Sequence, residues 1–506
     1  MKVLKPAVNR FLAISIALLI QVAVLIGVSK FFEARSAEIN ALIRILSIAV
    51  VLFIINERCN PSIKMAWIVF IYVTPVFGSI LYILIGGKSP RKRLRNACEG
   101  AEKRNCVYRI PQREAAEKLK AEDECLYVQS KYLAALDFPV CENTDASYYS
   151  SGEEAFPYML EAIEKAEKFI FLEYFIIDEG EMLSRLTDAL VKKAKEGVLV
   201  RFIYDDMGSV FTAPKGFKER LEENGIKCLA FNPYLPVISA AMNNRDHRKI
   251  LSIDSRVAFT GGINIADEYI NKKEKYGYWK DTVVRIEGDG AREFTLMFLD
   301  LWNAFCDKDE DISPFLEKRE YTAKDKGFVQ PFSDTPLDDE TVGENVYLSA
   351  INNAKKYIYI YTPYLIPDYE LNSALCIAAK KGIDVKIIVP GIPDKKIVYS
   401  MTKSYYRTLI NAGVEIYKFP SGFVHAKGFV CDDIISCAGT INLDFRSMCH
   451  HFECGCVFYN SPVIKEMKLD MIKTIEKCEK VVDFQRFNGF MGSVYHAVLR
   501  LIAPLM

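Results

Sequence analysis

The feature that most constrains the fold is an internal repeat, in which residues 162–204 and 350–389 follow the same order of local patterns. In both segments an apolar, β-rich run is followed by a helical pattern and then by a second apolar run. Each helical pattern ends at a glycine, Gly197 or Gly382, which suits a helix C-cap. A strand–helix–strand order with tight connections is typical of a βαβ unit. The sequence therefore predicts an α/β fold of two domains related by duplication and pseudo-twofold symmetry.

The repeat brings two of the five histidines of the chain into register. Each begins the pattern His-x-Lys-x4-Asp, and an asparagine follows ten residues after the aspartate. The two copies consist of His247, Lys249, Asp254 and Asn264, and of His425, Lys427, Asp432 and Asn442. One such pattern would be a weak signal, because three fixed positions arise by chance. Two copies at matched places in a repeat indicate a paired site.

The residue types in this pattern suit the transfer of a phosphodiester. Residues two apart on a β-strand share a face, so the histidine and lysine of each copy are expected to point into one site. Such a reaction needs a nucleophile, cationic and amide donors for the phosphate oxygens, and an acid for the leaving alcohol. We expect the two histidines to be nucleophile and acid, and the lysines and asparagines to hold the oxygens.

These motifs resemble those of the phospholipase D superfamily, whose signature is this duplicated motif, and in particular the bacterial cardiolipin synthases. The resemblance covers roughly residue 45 to the C-terminus. Asp246 stands where the family commonly has asparagine, and Cys431 lies within the second motif, but neither change removes a reactive group. The stretches that carry the closer resemblance are 244–249, 261–269, 278–281, 361–368 and 390–396.

The resemblance implies roles for the two motif histidines. One attacks phosphorus and becomes a phosphohistidine, while the other protonates the leaving alcohol and then deprotonates the incoming one. The resemblance favours His247 as nucleophile and His425 as acid and base, although the residues alone leave the assignment open. It also implies that carboxylates after each motif orient the histidines, and the matching positions are Asp281 and Glu453.

The remaining residues of interest have weaker expected roles. Asp254 and Asp432 belong to the motifs and thus to the predicted catalytic set, but we expect them mainly to support the fold. Three histidines have no partner in the repeat and are expected to be structural or non-catalytic: His450, His451 and His496.

The activity implied by the resemblance is that of a cardiolipin synthase, which joins two phosphatidylglycerols and releases glycerol. One phosphodiester replaces another through a covalent intermediate, so we predict no nucleotide, metal or other cofactor. The expected partners are phosphatidylglycerol and anionic membrane lipid. A phospholipase D hydrolase, or a phosphatidyltransferase that uses another alcohol, is the alternative. A nuclease is disfavoured because 65 basic and 65 acidic residues balance, and an inactive scaffold because both motifs are intact.

The N-terminal part of the chain predicts a membrane anchor of two or three helices. Residues 11–29 and 65–87 contain no charge and are long enough to span a bilayer. Ala41–Asn56 is shorter and carries Arg44, which could reach the interface. A basic cluster follows, consisting of Lys88, Arg91, Lys92, Arg93 and Arg95. By the positive-inside rule it predicts a multi-pass protein of the cell membrane with cytoplasmic catalytic domains, where the 14 scattered cysteines would be free thiols.

The expected organisation is an anchor at 1–90, a charged connector at 91–135, phospholipase D-like domains at 136–325 and 326–485, and an amphipathic helix at 486–506. The apolar residues of that helix fall at helical spacing on one face. They are Phe490, Met491, Val494, Tyr495, Val498, Leu499 and Ile502. This face could pack into the catalytic domain or lie on the bilayer, and we favour the bilayer.

Overall fold

The structure is a computed structural model that describes residues 6–33, 37–86, 92–234, 240–306, 310–317, 320–482 and 490–505. Its α-helices are α1 (Pro6–Glu33), α2 (Ala37–Asn56), α3 (Pro61–Val73), α4 (Pro75–Leu81), α5 (Lys92–Asn105), α6 (Arg113–Glu122), α7 (Glu124–Ala134), α8 (Gly152–Glu164), α9 (Glu181–Lys195), α10 (Phe217–Glu223), α11 (Asp289–Phe305), α12 (Val342–Asn353), α13 (Tyr369–Lys380), α14 (Lys396–Ala412), α15 (Phe445–Cys449), α16 (Val463–Ile475) and α17 (Phe490–Ile502).

The β-strands of the same residues are β1 (Thr144–Tyr149), β2 (Phe169–Tyr174), β3 (Leu199–Asp205), β4 (Lys227–Phe231), β5 (Arg245–Asp246), β6 (Ile250–Ile253), β7 (Val257–Gly261), β8 (Tyr278–Lys280), β9 (Val283–Gly288), β10 (Phe328–Asp334), β11 (Tyr357–Tyr361), β12 (Asp384–Pro390), β13 (Glu415–Phe419), β14 (Gly422–Val424), β15 (Gly428–Cys431), β16 (Ile435–Gly439), β17 (His451–Tyr459) and β18 (Glu479–Lys480).

Two mixed sheets have the same strand order, which confirms the predicted duplication. The first sheet runs β1-β9-β7-β6-β2-β3-β4, and the second runs β10-β17-β16-β15-β11-β12-β13 with β18 at its edge. In each sheet the predicted βαβ unit, β2-α9-β3 or β11-α13-β12, forms a parallel pair, and a further helix leads to one more parallel strand, β4 or β13. The predicted C-capping glycines follow these helices, and Gly197 and Gly382 adopt positive φ angles of 92° and 88°, where glycine is favoured.

The two domains share a buried core, in which α11 lies between the sheets. Ile286 of β9 and Phe294 of α11 belong to one apolar cluster with Phe332 of β10 and Phe429 of β15. This cluster also contains Leu119, which is fully buried on α6. The segment expected to be a connector therefore contributes apolar helices to the core of the catalytic region.

Two short strand pairs cross from one domain to the other. β5 of the first repeat pairs in parallel with the start of β17, and β14 of the second repeat pairs in parallel with β8. Gly422 of β14 lies so close to β8 that an added Cβ would stand 1.9 Å from the Tyr278 carbonyl oxygen. Both pairs lie immediately before a motif histidine, at residues 247 and 425, and so fix the two motifs against the opposite domain.

One helix of the described residues is long and apolar enough to cross a membrane, namely α1 over Ile14–Phe31, with a mean hydropathy of 2.2. The stretch predicted to span the membrane at 65–87 is divided in its described part into two helices, because the chain leaves the helix at Thr74 and Pro75 cannot donate a backbone hydrogen bond. The other apolar helices are shorter: Ala41–Asn56, Pro61–Val73 and Pro75–Gly86.

The C-terminal helix α17 is amphipathic, as predicted, but its apolar face is divided. Leu499 is buried in a small cluster with Met401 of α14 and Phe445 of α15. Val494, Tyr495 and Val498 are exposed by 43%, 49% and 51%. Residues 486–489 of the predicted helix, and the side chains of residues 490 and 491, lie outside the described part of the chain.

Candidate active site

The two motifs occupy equivalent connections between a cross-domain strand and a sheet strand. His247 and Lys249 lie between β5 and β6, and His425 and Lys427 lie between β14 and β15. The expectation that they would lie on regular strands is therefore wrong, although all four side chains are buried. Each histidine is anchored to the opposite domain by its backbone N–H, which donates to the carbonyl oxygen of residue 452 (2.9 Å) or residue 280 (2.7 Å).

The orienting carboxylates are exchanged between the repeats. Nδ1 of His247 lies 2.9 and 3.0 Å from the two carboxylate oxygens of Glu453, on β17 of the second domain. Nδ1 of His425 lies 2.7 Å from Oδ2 of Asp281, which follows β8 in the first domain. A hydrogen bond from Nδ1–H to a carboxylate selects one tautomer and leaves Nε2 with a lone pair for chemistry. Each histidine therefore depends on the other repeat for its orientation.

The two motif lysines have the same geometry in both repeats. Nζ of Lys249 donates to the backbone carbonyl of His247 at 2.6 Å, and Nζ of Lys427 donates to the backbone carbonyl of His425. Nζ of Lys427 also lies 2.8 Å from Nδ1 of His425. Burial lowers the pKa of Lys249 to about 8 and that of Lys427 to about 7, with nearby carboxylates opposing the shift. The lysines thus place cationic groups beside both rings.

The electrostatics of the two halves differ at the carboxylates. Burial raises the pKa of Glu453 well above its usual range. Burial would also raise the pKa of Asp281, but the charges of His425 and Lys427 and the hydrogen bond with His425 outweigh it and lower that pKa. The pKa of Asp281 is therefore lowered, whereas that of Glu453 is raised although Lys249, Ser447 and Thr440 oppose the shift.

Both motif histidines have lowered pKa values. Burial and the charge of Lys249 place the pKa of His247 well below its usual range. Burial and Lys427 lower the pKa of His425 to about 4, although Asp281 acts in the opposite direction. The charges of Lys427 and His425 also act on His247, so the two motifs converge on one electrostatic site.

The motif aspartates do not contact the histidines but support the fold, as expected. The Asp254 carboxylate accepts backbone N–H groups of residues 167, 168 and 169, each at 2.8 Å. Asp432 accepts the equivalent groups of residues 355, 356 and 357 at 2.6–2.9 Å. Both aspartates have left-handed backbone conformations with φ of 54° and 53°, which aspartate tolerates better than most residues. They fix the start of the central strand in each sheet.

The two asparagines differ in their surroundings. Asn264 is engaged within the first domain, because its Oδ1 accepts the Ile176 N–H (3.0 Å) and its Nδ2 donates to the Tyr269 hydroxyl (2.7 Å). Oδ1 of Asn442 is buried without a hydrogen-bond partner among the described residues. The unpartnered Oδ1 of Asn442 is an acceptor and could not itself bind a phosphate oxygen, whereas Asn264 holds a loop and a tyrosine beside His425.

Three residues near Glu453 were not predicted from the sequence. The hydroxyl groups of Thr440 and Ser447 both donate to the Glu453 carboxylate. His451, which the sequence predicts to be structural or non-catalytic, lies beside His247, with ring centroids 5.3 Å apart. A signal existed in the sequence, because residues 451 and 453 are two apart on a β-strand and therefore share a face.

His247, His451 and Glu453 form a group that could hold a metal ion, with ligand atoms within 4.8 Å of one another. No spacing in the sequence had indicated this cluster, and we had predicted no metal. Lys249 and Lys427 both act on the ring of His247 as positive charges. These cations disfavour a bound cation and favour an anion.

Aromatic side chains complete the walls of the site. The rings of Tyr269, Trp279 and Phe423 have centroids 5.4, 5.4 and 5.9 Å from that of His425. Phe175 lies edge-on to His247 at 5.1 Å. The site can therefore bind an anion between two oriented imidazoles while most of its surroundings remain apolar.

Comparison with known proteins places this geometry in a family. Residues 159–293 and 347–475 match the family described as cardiolipin synthase, PLD-like domain, and residues 45–87 match the phospholipase D-nuclease N-terminal family. A crystal structure of phosphatidylserine synthase from Haemophilus influenzae Rd KW20 shares the fold, with a TM-score of 0.56 and 15% identity over 75% of this chain and 100% of that one.

Several curated relatives cover nearly the whole chain. An uncharacterized protein of Streptococcus mutans serotype c is 42% identical over 90% of this chain and 99% of its own length. The cardiolipin synthase of Clostridium perfringens is 34% identical over 89% of this chain and 95% of its own length. That of Alkalihalophilus pseudofirmus is 32% identical over 91% and 92%. Identity at this level over this length, together with the duplicated fold, shows that the chain belongs to the phospholipase D-like cardiolipin synthase family.

Proposed function

We propose that the chain is a phosphatidyltransferase that converts two phosphatidylglycerol molecules into cardiolipin and glycerol. The observation that carries the proposal is the pair of buried histidines, each oriented at Nδ1 by a carboxylate of the opposite repeat. Two such imidazoles in one site can divide nucleophilic attack and proton transfer between them. The curated relatives named as cardiolipin synthases support the choice of lipid.

In the first step Nε2 of His247 attacks the phosphorus of one phosphatidylglycerol. A P–N bond forms, the P–O bond to the headgroup glycerol breaks, and His425 gives the proton from its Nε2 to the departing glycerol oxygen. Lys249 and Lys427 stabilise the negative charge that develops on the phosphate oxygens. The product is a phosphatidyl group on His247 and free glycerol.

In the second step the headgroup hydroxyl of another phosphatidylglycerol attacks the same phosphorus. His425 takes the hydroxyl proton, the new P–O bond forms, and the P–N bond to His247 breaks. Cardiolipin leaves and both histidines return to their starting states. Protons and bonds balance over the two steps, so the reaction needs no reactant besides the two phosphatidylglycerol molecules.

The assignment of the two histidines rests on their carboxylates. The histidine that acts first as acid and then as base must carry a positive charge in one half of the cycle. An ionised carboxylate stabilises that charge. Asp281 is the carboxylate whose pKa is lowered, and it contacts His425. An anionic phosphodiester would also raise the low pKa of His425, since its charge opposes that of Lys427.

Selection of an alcohol over water follows from the closed character of the site. Both motif histidines are buried, and Tyr269, Trp279 and Phe423 surround His425. An apolar wall around the base disfavours free water and admits a hydroxyl attached to a lipid.

The remaining features fit a membrane enzyme. We infer that α1 anchors the chain, that the shorter apolar helices lie in or against the bilayer, and that the catalytic domains face the cytoplasm. Ile14 of α1 packs against Val210 and Tyr234 of the first domain, which supports a position of the site close to the membrane. We propose the domain limits 136–325 and 326–485 because the two sheets have equivalent strand orders.

The test is to incubate the purified protein with phosphatidylglycerol alone and to identify products by mass spectrometry. Cardiolipin and glycerol should appear in equal amounts, and His247→Ala or His425→Ala should abolish both. Rapid quenching should leave a phosphatidyl group on His247 in the wild-type protein. Phosphatidic acid as the main product would identify a hydrolase, and a fully active variant of either histidine would exclude the mechanism.

A further inference from the structure

We propose that His451 contacts the substrate and donates a hydrogen bond to a non-bridging oxygen of the phosphate held at His247. This inference rests on the proposed function, and it adds a third histidine to a site whose sequence motifs provide two. His451 is the first residue of β17, and the cross-domain pairing with Arg245 of β5 fixes its position. Its ring centroid lies 5.3 Å from that of His247.

The ring of His451 lacks partners where buried polar groups normally have them. Neither ring nitrogen has a hydrogen-bond partner among the described residues, and the residue is 8% exposed. Oε1 of Glu453 is 3.8 Å from Nδ1, which is too long for a hydrogen bond. Burying unsatisfied polar atoms costs roughly 1–3 kcal/mol per group, so an apolar residue would fit better if the ring only filled space.

The charges around His451 select the class of ligand. Burial places its pKa well below the usual range, and Arg446, His450, Lys249 and Arg245 act in the same direction. A neutral imidazole has one donor and one acceptor nitrogen. Because the surrounding charges are mostly positive, a phosphate oxygen is the ligand that satisfies the donor.

The corresponding position in the first repeat strengthens the argument. Trp279 stands two residues before Asp281, as His451 stands two residues before Glu453. Its ring lies 5.4 Å from His425, and its indole N–H is also without a hydrogen-bond partner among the described residues. Both positions therefore border a motif histidine, but one presents an imidazole and the other a large aromatic surface.

This difference gives the two sides of the site different roles. The side of His247 is polar, which suits the phosphate that becomes attached there. The side of His425 is aromatic, which suits the exclusion of water from the alcohol. Since Asn264 is engaged with Ile176 and Tyr269, His451 provides a donor that the asparagine pair would not supply in full.

The experiment compares three variants in the full-length protein: His451→Phe, which removes both nitrogens, His451→Asn, which retains a donor, and Tyr158→Phe as a control. Tyr158 lies on α8 and is 45% exposed. We measure kcat and KM for phosphatidylglycerol, thermal unfolding in detergent, and the affinity for orthovanadate by calorimetry. The vanadate measurement does not depend on the identity of the lipid product.

His451→Phe should lower kcat about 10²-fold, as expected for loss of one donor to a charged transition state, and should weaken vanadate binding while unfolding is unchanged. His451→Asn should recover most of the kcat and of the vanadate affinity, and Tyr158→Phe should match the wild type. Unchanged kcat and vanadate affinity in His451→Phe would overturn the proposal, as would an equal loss in His451→Asn. If His451→Phe does not fold, His451→Ala takes its place with the same outcomes. A wild-type protein that binds vanadate but forms no cardiolipin would refute the proposed function and leave the role of His451 standing.

Discussion

The exchanged carboxylates allow a quantitative test, because substitution by the matching amide removes a charge and keeps the shape. In Asp281→Asn the imidazolium of His425 loses an anion whose Oδ2 lies 2.7 Å from Nδ1. With an effective dielectric constant of about 20, a charge pair at this distance is worth about 6 kcal/mol. The amide oxygen remains as a neutral acceptor, so we expect a loss of about 3 kcal/mol, or on the order of 10²-fold in kcat.

Glu453→Gln is the matched comparison in the other half of the site. Burial raises the pKa of Glu453 well above its usual range, so this carboxylate stabilises a positive charge on its histidine less than Asp281 does. We therefore expect kcat to fall less than about tenfold. The unfolding free energy should change by less than about 1 kcal/mol in Asp281→Asn, since removal of a buried charge also removes its desolvation cost.

The assay is the initial rate of cardiolipin formation from phosphatidylglycerol in mixed micelles, with glycerol release measured in parallel. Glu293→Gln is the control, because Glu293 of α11 is buried, its carboxylate accepts a hydrogen bond from Arg292, and burial raises its pKa. Its rate should equal that of the wild type. A larger loss in Glu453→Gln than in Asp281→Asn would reverse the assignment of nucleophile and acid, and equal small losses in both would refute the electrostatic reasoning.

Four further predictions concern other parts of the molecule. Asp254→Ala should lower the unfolding free energy by about 3 kcal/mol, because three backbone N–H groups lose one charged acceptor; loss of kcat at unchanged stability would contradict the structural role. In the pH profile, kcat/KM should fall as pH rises through about 4, where His425 of the free protein loses the proton that it gives to glycerol, and more steeply above about 7, where Lys427 loses its charge; a flat profile from about pH 6 to 9 would oppose this. Deletion of residues 490–506 should lower activity on vesicles more than thermal stability in detergent, since four apolar residues of α17 are exposed; aggregation of the truncated protein would show instead that the helix is needed for the core. Treatment with a chelator should leave the rate unchanged. A loss of rate that one specific ion restores would identify the cluster at Glu453 as a metal site.

Local patterns in the sequence were sufficient to predict the repeat, its βαβ units and the motif histidines. These features depend on hydrophobic periodicity and short spacings, which the chain carries in contiguous segments. The structural role of Asp254 and Asp432 was also predictable, because both occur at the turn that follows a motif. The break of the third apolar segment could have been inferred from Pro75.

Other features depend on contacts between distant residues and could not be derived in this way. Nothing local to Asp281 indicates that it orients His425 rather than His247, since the pairing follows from the docking of two domains. The same docking brings His451 to the site, and it is absent from any spacing rule for the motifs. The sequence predicts that Asn264 holds the phosphate. In the structure its Nδ2 donates to the Tyr269 hydroxyl instead, and nothing in the sequence distinguishes Tyr269 from a core aromatic residue.

The exchanged carboxylates also govern when the enzyme can first act during its synthesis. Glu453 is 206 residues beyond the histidine it orients, and the ribosome takes about 10–40 s to add that length of chain. During this interval the histidine of the first domain has no carboxylate to set its tautomer. The nascent chain is therefore inert toward the surrounding lipid until the second domain has been made and has docked. Catalytic competence and correct assembly become a single event.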